Sequence, residues 1–446
     1  MTARPSLPLL TMLGCQSADL QQISPPELRL AEDMATVVLA NWVPPQESPD
    51  ALRLEWLDPD GEWAATPAVE EGGAWRALAF GLRQSQDYRF RLVGTWGESV
   101  ATSEEAKLQT GNLPAEAPSL TLGESGDNPG FLATGVNNST PGGAIFDESG
   151  GPVWWWPLPV PEPYVTRVLR SVDQRSVLIS AFRTIAEYDP SDLAIHRVAY
   201  DGTVLETIET PGGHHDFTEL PDGTLAWWTH ESRDFDGRAV RGDVLMERAP
   251  DGGNREVWNG WDHYTYDPED SQLVDSFPHA NAVKCDVETD RYWLSLRSLG
   301  ALVVIDRASG AIVEQFFGRD SIYPLSPGTP VAYQHGFTLL DDGFVIMDDR
   351  KDEAEVSRAA QFTIDRTAGT FAEVWSYESD EGFHIRGLGE AIRVDGGDTL
   401  LLWSPAGQAQ RVRPDGTTVW RATSQLGTVL GYGQVTVDPT ALPPRR

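Results

Sequence analysis

The stretch Ile145-Phe146-Asp147-Glu148-Ser149-Gly150-Gly151-Pro152-Val153-Trp154-Trp155-Trp156 sets the pattern for most of this chain. An apolar strand runs into Asp-x-x-Gly, and a second strand leaves the turn and ends in tryptophan. The element returns at Asp201-Gly202, at Asp251-Gly252 with Trp258 and at Asp306 to Gly310. It returns again at Asp365 to Gly369 with Trp375, and at Asp415-Gly416 with Trp420. Aspartate and glycine suit such a turn: the carboxylate accepts from nearby backbone N–H groups, and glycine takes positive φ without a steric cost. A second hairpin accompanies the element, as in Phe217 to Trp228, Phe337 to Met347 and Ala391 to Trp403. The spacing of roughly 50 to 60 residues is close to that of kelch-type blades. Six copies predict an all-β fold whose main part, residues 118–446, is a six-bladed β-propeller with four strands per blade and a central channel. One four-stranded blade cannot bury both its faces. Stacking blades in a ring buries them between neighbours and leaves few open edges. The tryptophans, Trp154 to Trp156 included, read as blade packing.

Upstream, residues 24–113 read as a small β-sandwich of the immunoglobulin or fibronectin type III kind. Strand-like pieces are Thr36 to Trp42, Leu52 to Trp56 and Asp87 to Val93. Alternation puts Tyr88, Phe90 and Leu92 on one face. Leu82 followed by Tyr88 matches the tyrosine-corner region of such domains. No catalytic constellation is visible here. Residues 1–23 read as a leader and linker. Arg4, the apolar run Leu7 to Leu13 and Gly14-Cys15 resemble a bacterial lipoprotein signal with Cys15 as the lipidated residue. The expectation is an exported protein, periplasmic or at the cell surface, anchored to a membrane through Cys15. No stretch is long enough to span a bilayer as a helix.

The composition excludes some classes of function. The net charge of -33 leaves no basic stripe to neutralise phosphates, so no nucleic-acid partner is expected. An anionic substrate would be repelled at long range and needs a locally positive pocket. The 2 cysteines form no disulfide framework, and Cys285, in an alternating apolar stretch, reads as a small buried filler.

The chemistry gathers on histidines, of which the chain has only 8. His215 and His335 stand at the same offset before their turn glycines, Gly223 and Gly343, and His279 opens the repeat between them. Inner strands of a propeller line its channel, so these imidazoles are expected to converge. Strand alternation makes His214 and His215 point opposite ways, with His215 the better channel candidate and His214 in the blade wall. Arg297, in Leu294-Ser-Leu-Arg-Ser-Leu-Gly300, has apolar neighbours. It either pairs with an acid or meets an anionic substrate by forked hydrogen bonds. Asp216 and Asp348 or Asp349 are candidates to orient an imidazole. Clustered histidines also suit zinc, yet no dense ligand motif is present and no metal is expected.

In order and spacing, His214-His-Asp-Phe217, His279-Ala-Asn-Ala-Val283 with Asp286, Leu294-Ser-Leu-Arg297-x-x-Gly300, Tyr333-Gln-His335 and Met347-Asp-Asp-Arg350 resemble the bacterial arylsulfate sulfotransferases. The resemblance covers essentially everything after residue 25. It implies a small N-terminal β domain before a six-bladed propeller. It implies ping-pong transfer of a sulfuryl group from a phenolic sulfate to a phenol, without a nucleotide sulfate donor and without a cofactor. His335 would be the nucleophile that becomes sulfohistidine. His279, Arg297 and one of His214 or His215, here His215, would hold the sulfuryl and phenolic oxygens. His214 and Asn281 would complete substrate binding. A homodimer is compatible with the family. The cysteine pair often found near the nucleophile is absent. Two other functions compete: a non-catalytic cell-surface propeller binding an anionic ligand or a protein, and a metal-dependent hydrolase using the same histidines.

Overall fold

A computed structural model describes residues 23–436, apart from 45–47, 59–60, 127–129, 160–163, 183–192, 269–275 and 353–354. Cys15 and the leader lie outside the described residues. The fold is all-β, with a short α-helical turn at Gly260–His263 and 3-10 turns at Asp395–Gly397 and Ser404–Ala406 among the described residues. No helix among the described residues is long and apolar enough to cross a membrane.

Two sheets form the N-terminal part. One holds Glu27–Leu30, Val38–Trp42, Ala74–Ala79 and Val69–Glu71. The other holds Trp63–Pro67, Ala51–Leu57, Asp87–Trp96 and Ser99–Thr102, with Ala106–Gln109 beside Asp87–Trp96. They share a core that includes Val38, Trp42, Leu54 and Trp56. Tyr88, Phe90 and Leu92 bury the same face of their strand while Asp87 and Arg89 stay exposed, as alternation requires. The Tyr88 hydroxyl accepts a hydrogen bond from the Arg83 backbone N–H at 2.8 Å.

Six sheets of four or five strands follow, antiparallel except where Ser276–Phe277 pairs parallel with Arg238–Arg248. In each, the repeated Asp-Gly turn joins the third strand to the fourth. Oδ1 of Asp147 accepts from the backbone N–H of Ser149 at 2.9 Å and of Gly151 at 3.0 Å. Asp201, Asp251, Asp306, Asp365 and Asp415 bind backbone N–H groups of their own turns in the same way. Gly150 sits at φ 76 and Gly416 at φ 85, which explains why the motif keeps a glycine. Trp154, Trp155, Trp258 and Trp420 are buried, whereas Trp156 and Trp375 are only partly covered.

The first strands of five sheets are Val168–Arg170, His214–Glu219, Ala280–Asp286, Phe337–Leu340 and Glu390–Arg393. The sixth position is filled by the C-terminal strand Val429–Thr436, which pairs with Phe131–Asn137 in the first sheet. In return, Thr121–Ser125 pairs with Thr418–Thr423 in the last sheet. Hydrogen bonds tie these six strands in a closed cycle. Arg167 donates to Asp216, and Asp216 Oδ2 accepts from Val283 N at 3.0 Å. Asn281 Nδ2 donates to the Gln334 carbonyl at 2.7 Å, and Gly336 N to the Gly389 carbonyl at 2.9 Å. Gly433 N donates to Glu390 Oε2 at 2.9 Å, and Tyr432 N to the Thr166 carbonyl at 2.7 Å.

A buried ionic cluster lies within this cycle. Arg167 binds both Asp216 and Glu390, and Lys284 Nζ reaches Glu390 Oε1 at 2.9 Å. Burial opposes the Arg167 charge, but Asp216 and Glu390 outweigh it and raise its pKa. Burial likewise pushes the Glu390 carboxyl up, yet Arg167 and Lys284 hold it below the ordinary value. Arg167 and Glu390 thus remain charged together. Beyond the cluster, the later residues of the same strands line a cavity of about 820 Å³ that Lys284, Cys285, Thr338 and Arg393 help to enclose. Cys285 is half-buried, packed against a hydrophobic core that includes Tyr292 and Leu294 and also lining the cavity wall.

Candidate functional site

At the opposite ends of the same strands, His215, His279, His335 and Arg297 come together. His279 immediately precedes its strand and adopts φ 60. Its carbonyl accepts from the Arg297 N–H at 2.9 Å, which holds the arginine beside it. The His215 and His279 rings meet edge to face with centroids 5.0 Å apart. His335 is anchored by its own N–H, which donates to the Met347 carbonyl at 3.0 Å. All four side chains are buried.

The sequence left Arg297 either paired with an acid or meeting an anionic substrate. Its guanidinium lies 4.4 Å from the centroid of the Tyr333 ring, and its Nε has no hydrogen-bond partner. Burial lowers its pKa, while Asp349 and Tyr333 work the other way. A buried guanidinium satisfied only by an aromatic face and a nearby carboxyl is suited to receive an anion.

His214 and His215 depart from strand alternation. His214 pairs with Trp228 and Phe217 with Trp227, so His215 and Asp216 form a bulge, and His215 adopts φ 54. The bulge brings the two Nδ1 atoms within 2.9 Å instead of sending the rings to opposite faces. His214 Nε2 lies 3.1 Å from the Thr229 carbonyl and 3.3 Å from Asp243 Oδ1. Asn281 is fully buried, with its amide nitrogen spent on the Gln334 carbonyl and its Oδ1 without a partner.

Of the three acids expected to orient imidazoles, only Asp349 stands beside one. Its Oδ2 is 2.7 Å from His335 Nδ1. The contact is too bent to be a hydrogen bond, and neither Asp349 oxygen has another hydrogen-bond partner. Asp216 is committed to Arg167 and Asp348 to Arg358 at 2.9 Å. Sequence reasoning missed Tyr333 and Asp243. Tyr333 is part of the Tyr-Gln-His motif, but Asp243 lies on a neighbouring strand and carries no local signal.

The electrostatics are uniform. Burial first, and then neighbouring cationic groups, push His214, His215, His279 and His335 well below the ordinary imidazole range. All four are neutral at neutral pH. Burial pushes the Asp349 carboxyl well above its usual value and the Asp243 carboxyl up to about 7. The arrangement offers neutral nitrogen nucleophiles and bases beside the fixed positive charge of Arg297, with that of Arg241 also within electrostatic reach. Among the described residues, no group of three or more His, Cys, Asp or Glu has metal-binding geometry.

The arylsulfotransferase (ASST) family pattern matches residues 123–385, which contain every side chain of this cluster. The chain belongs to the arylsulfotransferase family. This membership supports sulfuryl-transfer chemistry on small phenolic substrates in general terms. No curated protein matches the arylsulfotransferase chain. Among solved structures, a protein of unknown function from Bacteroides caccae aligns at 14% identity over 69% of this chain and 94% of its own, with a TM-score of 0.42. A streptogramin B lyase aligns at 15% identity over 68% and 87%, with a TM-score of 0.41. A virginiamycin B lyase from Staphylococcus aureus aligns at 15% over 67% and 87%, with a TM-score of 0.39.

Proposed function

We propose that this chain transfers a sulfuryl group from a phenolic sulfate to a phenol by a ping-pong route through sulfohistidine at His335, with no nucleotide sulfate donor. The scaffold is then a six-bladed propeller, supported by the closed cycle of six strands, behind a fibronectin-III-like sandwich, supported by the Tyr88 hydroxyl bond. The observation that carries the reading is the gathering of neutral His215, His279 and His335 around one buried arginine inside the family-matched region.

In the first half-reaction, Nε2 of neutral His335 attacks sulfur in line. The new N–S bond forms as the S–O bond breaks, and the electron pair leaves on the phenolic oxygen. Arg297 and His279 hold the sulfuryl oxygens, where charge spreads in the transition state. Each preorganised donor of this kind is worth about 3 kcal/mol. Asp349 stands at Nδ1 of His335, where loss of its own proton would offset the positive charge that sulfurylation places on the imidazole. His215 returns a proton to the departing phenolate and takes one from the incoming phenol. Arg297 also supplies the local positive charge that an anionic ester needs in a chain of net charge -33.

The test is release of phenol from a chromogenic aryl sulfate, with and without a phenol acceptor. Acceptor-stimulated release and a sulfuryl adduct mapped to His335 are expected. No release and no adduct leaves a binding protein. Release into water that a chelator abolishes points to a metal-dependent hydrolase.

A further inference from the structure

The His214–Asp243 pair lies behind His215 and takes no part in the steps above. A backbone carbonyl only accepts, so the Thr229 oxygen 3.1 Å from His214 Nε2 requires the proton on that nitrogen. A neutral imidazole carries one N–H, which leaves His214 Nδ1 as an acceptor. The 2.9 Å approach of the two Nδ1 atoms then makes His215 the donor between them. His215 in turn has a lone pair on Nε2, the nitrogen away from His214. Asp243 completes the line at 3.3 Å from His214 Nε2, and its other oxygen accepts from the Ala280 N–H at 2.8 Å, next to His279.

We propose that His214 and Asp243 form a proton store for His215, so that the proton taken from an acceptor phenol ends on the Asp243 carboxylate. This rests on the sulfuryl-transfer reading of the site. In the acceptor half-reaction the phenol O–H bond breaks and its proton goes to His215 Nε2. The phenolic oxygen pair forms the bond to sulfur, and the S–N bond pair returns to His335. The Nδ1 proton of His215 passes to His214 Nδ1, and the Nε2 proton of His214 passes to Asp243 Oδ1. The donor half-reaction starts with that proton on the Asp243 carboxyl and runs the same line backwards, giving the proton to the leaving phenolate and leaving Asp243 ionised to take the next one. No imidazole is charged at either end of the shift. That matters because this site already holds a buried guanidinium, and a second buried cation would be costly. His214 and Asp243 are positioning residues: they act through His215 and do not touch the substrate.

The experiment compares Asp243→Asn and His214→Gln with wild type on phenyl sulfate and 4-nitrophenyl sulfate, using one phenol acceptor. 4-Nitrophenolate leaves without a proton, whereas the phenolate of phenyl sulfate needs one. Turnover of phenyl sulfate is expected to fall about 100-fold in both variants, and release of 4-nitrophenolate in the first turnover by less than about 10-fold. Unchanged thermal midpoints will show that the variants fold. Equal losses on both donors, or no loss on either, overturn the proton store while leaving the transferase reading intact. A wild type that transfers to no phenol overturns both.

Discussion

Acid should unfold this protein through its own histidine cluster. His279 and His335 are buried, and their pKa values are depressed first by burial and then by Arg297. Below about pH 6.5 an unfolded chain protonates these imidazoles while the fold keeps them neutral. The unfolded state then binds more protons, so stability falls as pH falls, by about 1.4 kcal/mol per pH unit for each such histidine. The carboxyls act in the opposite sense. Asp243, pushed up to about 7, and Asp349 are protonated in the fold while still ionised in the unfolded chain, which offsets part of the loss. A double variant, His279→Gln with His335→Gln, isolates the imidazoles because the carboxyl contributions stay in both proteins. Unfolding free energies from denaturant titrations, read by tryptophan fluorescence at pH 7.5, 6.5 and 5.5, are the assay. Wild type should lose about 2 kcal/mol more than the double variant over the last pH unit, about 1 for each of two histidines, because an unfolded imidazole is only half protonated at about pH 6.5. Equal slopes would mean that both imidazoles titrate as freely in the fold as in the unfolded chain, and the buried cluster would be refuted.

Other outcomes follow from the same geometry. His335→Ala should abolish transfer, with no adduct detectable by mass analysis, while its circular dichroism matches wild type. Arg297→Ala should lower kcat/KM by about 100-fold or more, and Arg297→Lys should not restore it, because a point charge cannot reproduce a planar fork held on the Tyr333 face. Asp216→Ala strands Arg167 beside Glu390 and should cost about 3–5 kcal/mol of stability in denaturant titration.

The parts of the fold written in local chemistry were legible. The Asp-Gly turns could be read because each needs an acceptor and a positive φ within one tight turn, and all six repeats meet that need. The shared offset of His215 and His335 likewise pointed to a common place, and the family-like motifs supplied Arg297. The facing of His214 and His215 was not legible. Alternation assumes an unbroken ladder, and a bulge with a left-handed residue turns the side chains the other way without a glycine to announce it. Arg167 escaped for another reason. It reads as one charge in a short apolar strand, while its partner Glu390 lies 223 positions away. Asp243 has the same difficulty: nothing nearby in the chain marks it as a neighbour of an imidazole.

The last regular strand, Val429–Thr436, completes the first of the six sheets, and Thr134 Oγ1 donates to the Gly431 carbonyl across 297 positions. A chain made from its N-terminus therefore carries that sheet with an open edge until residues 429–436 have been made. A product cut short before this strand would leave that edge unpaired and open to proteolysis and aggregation.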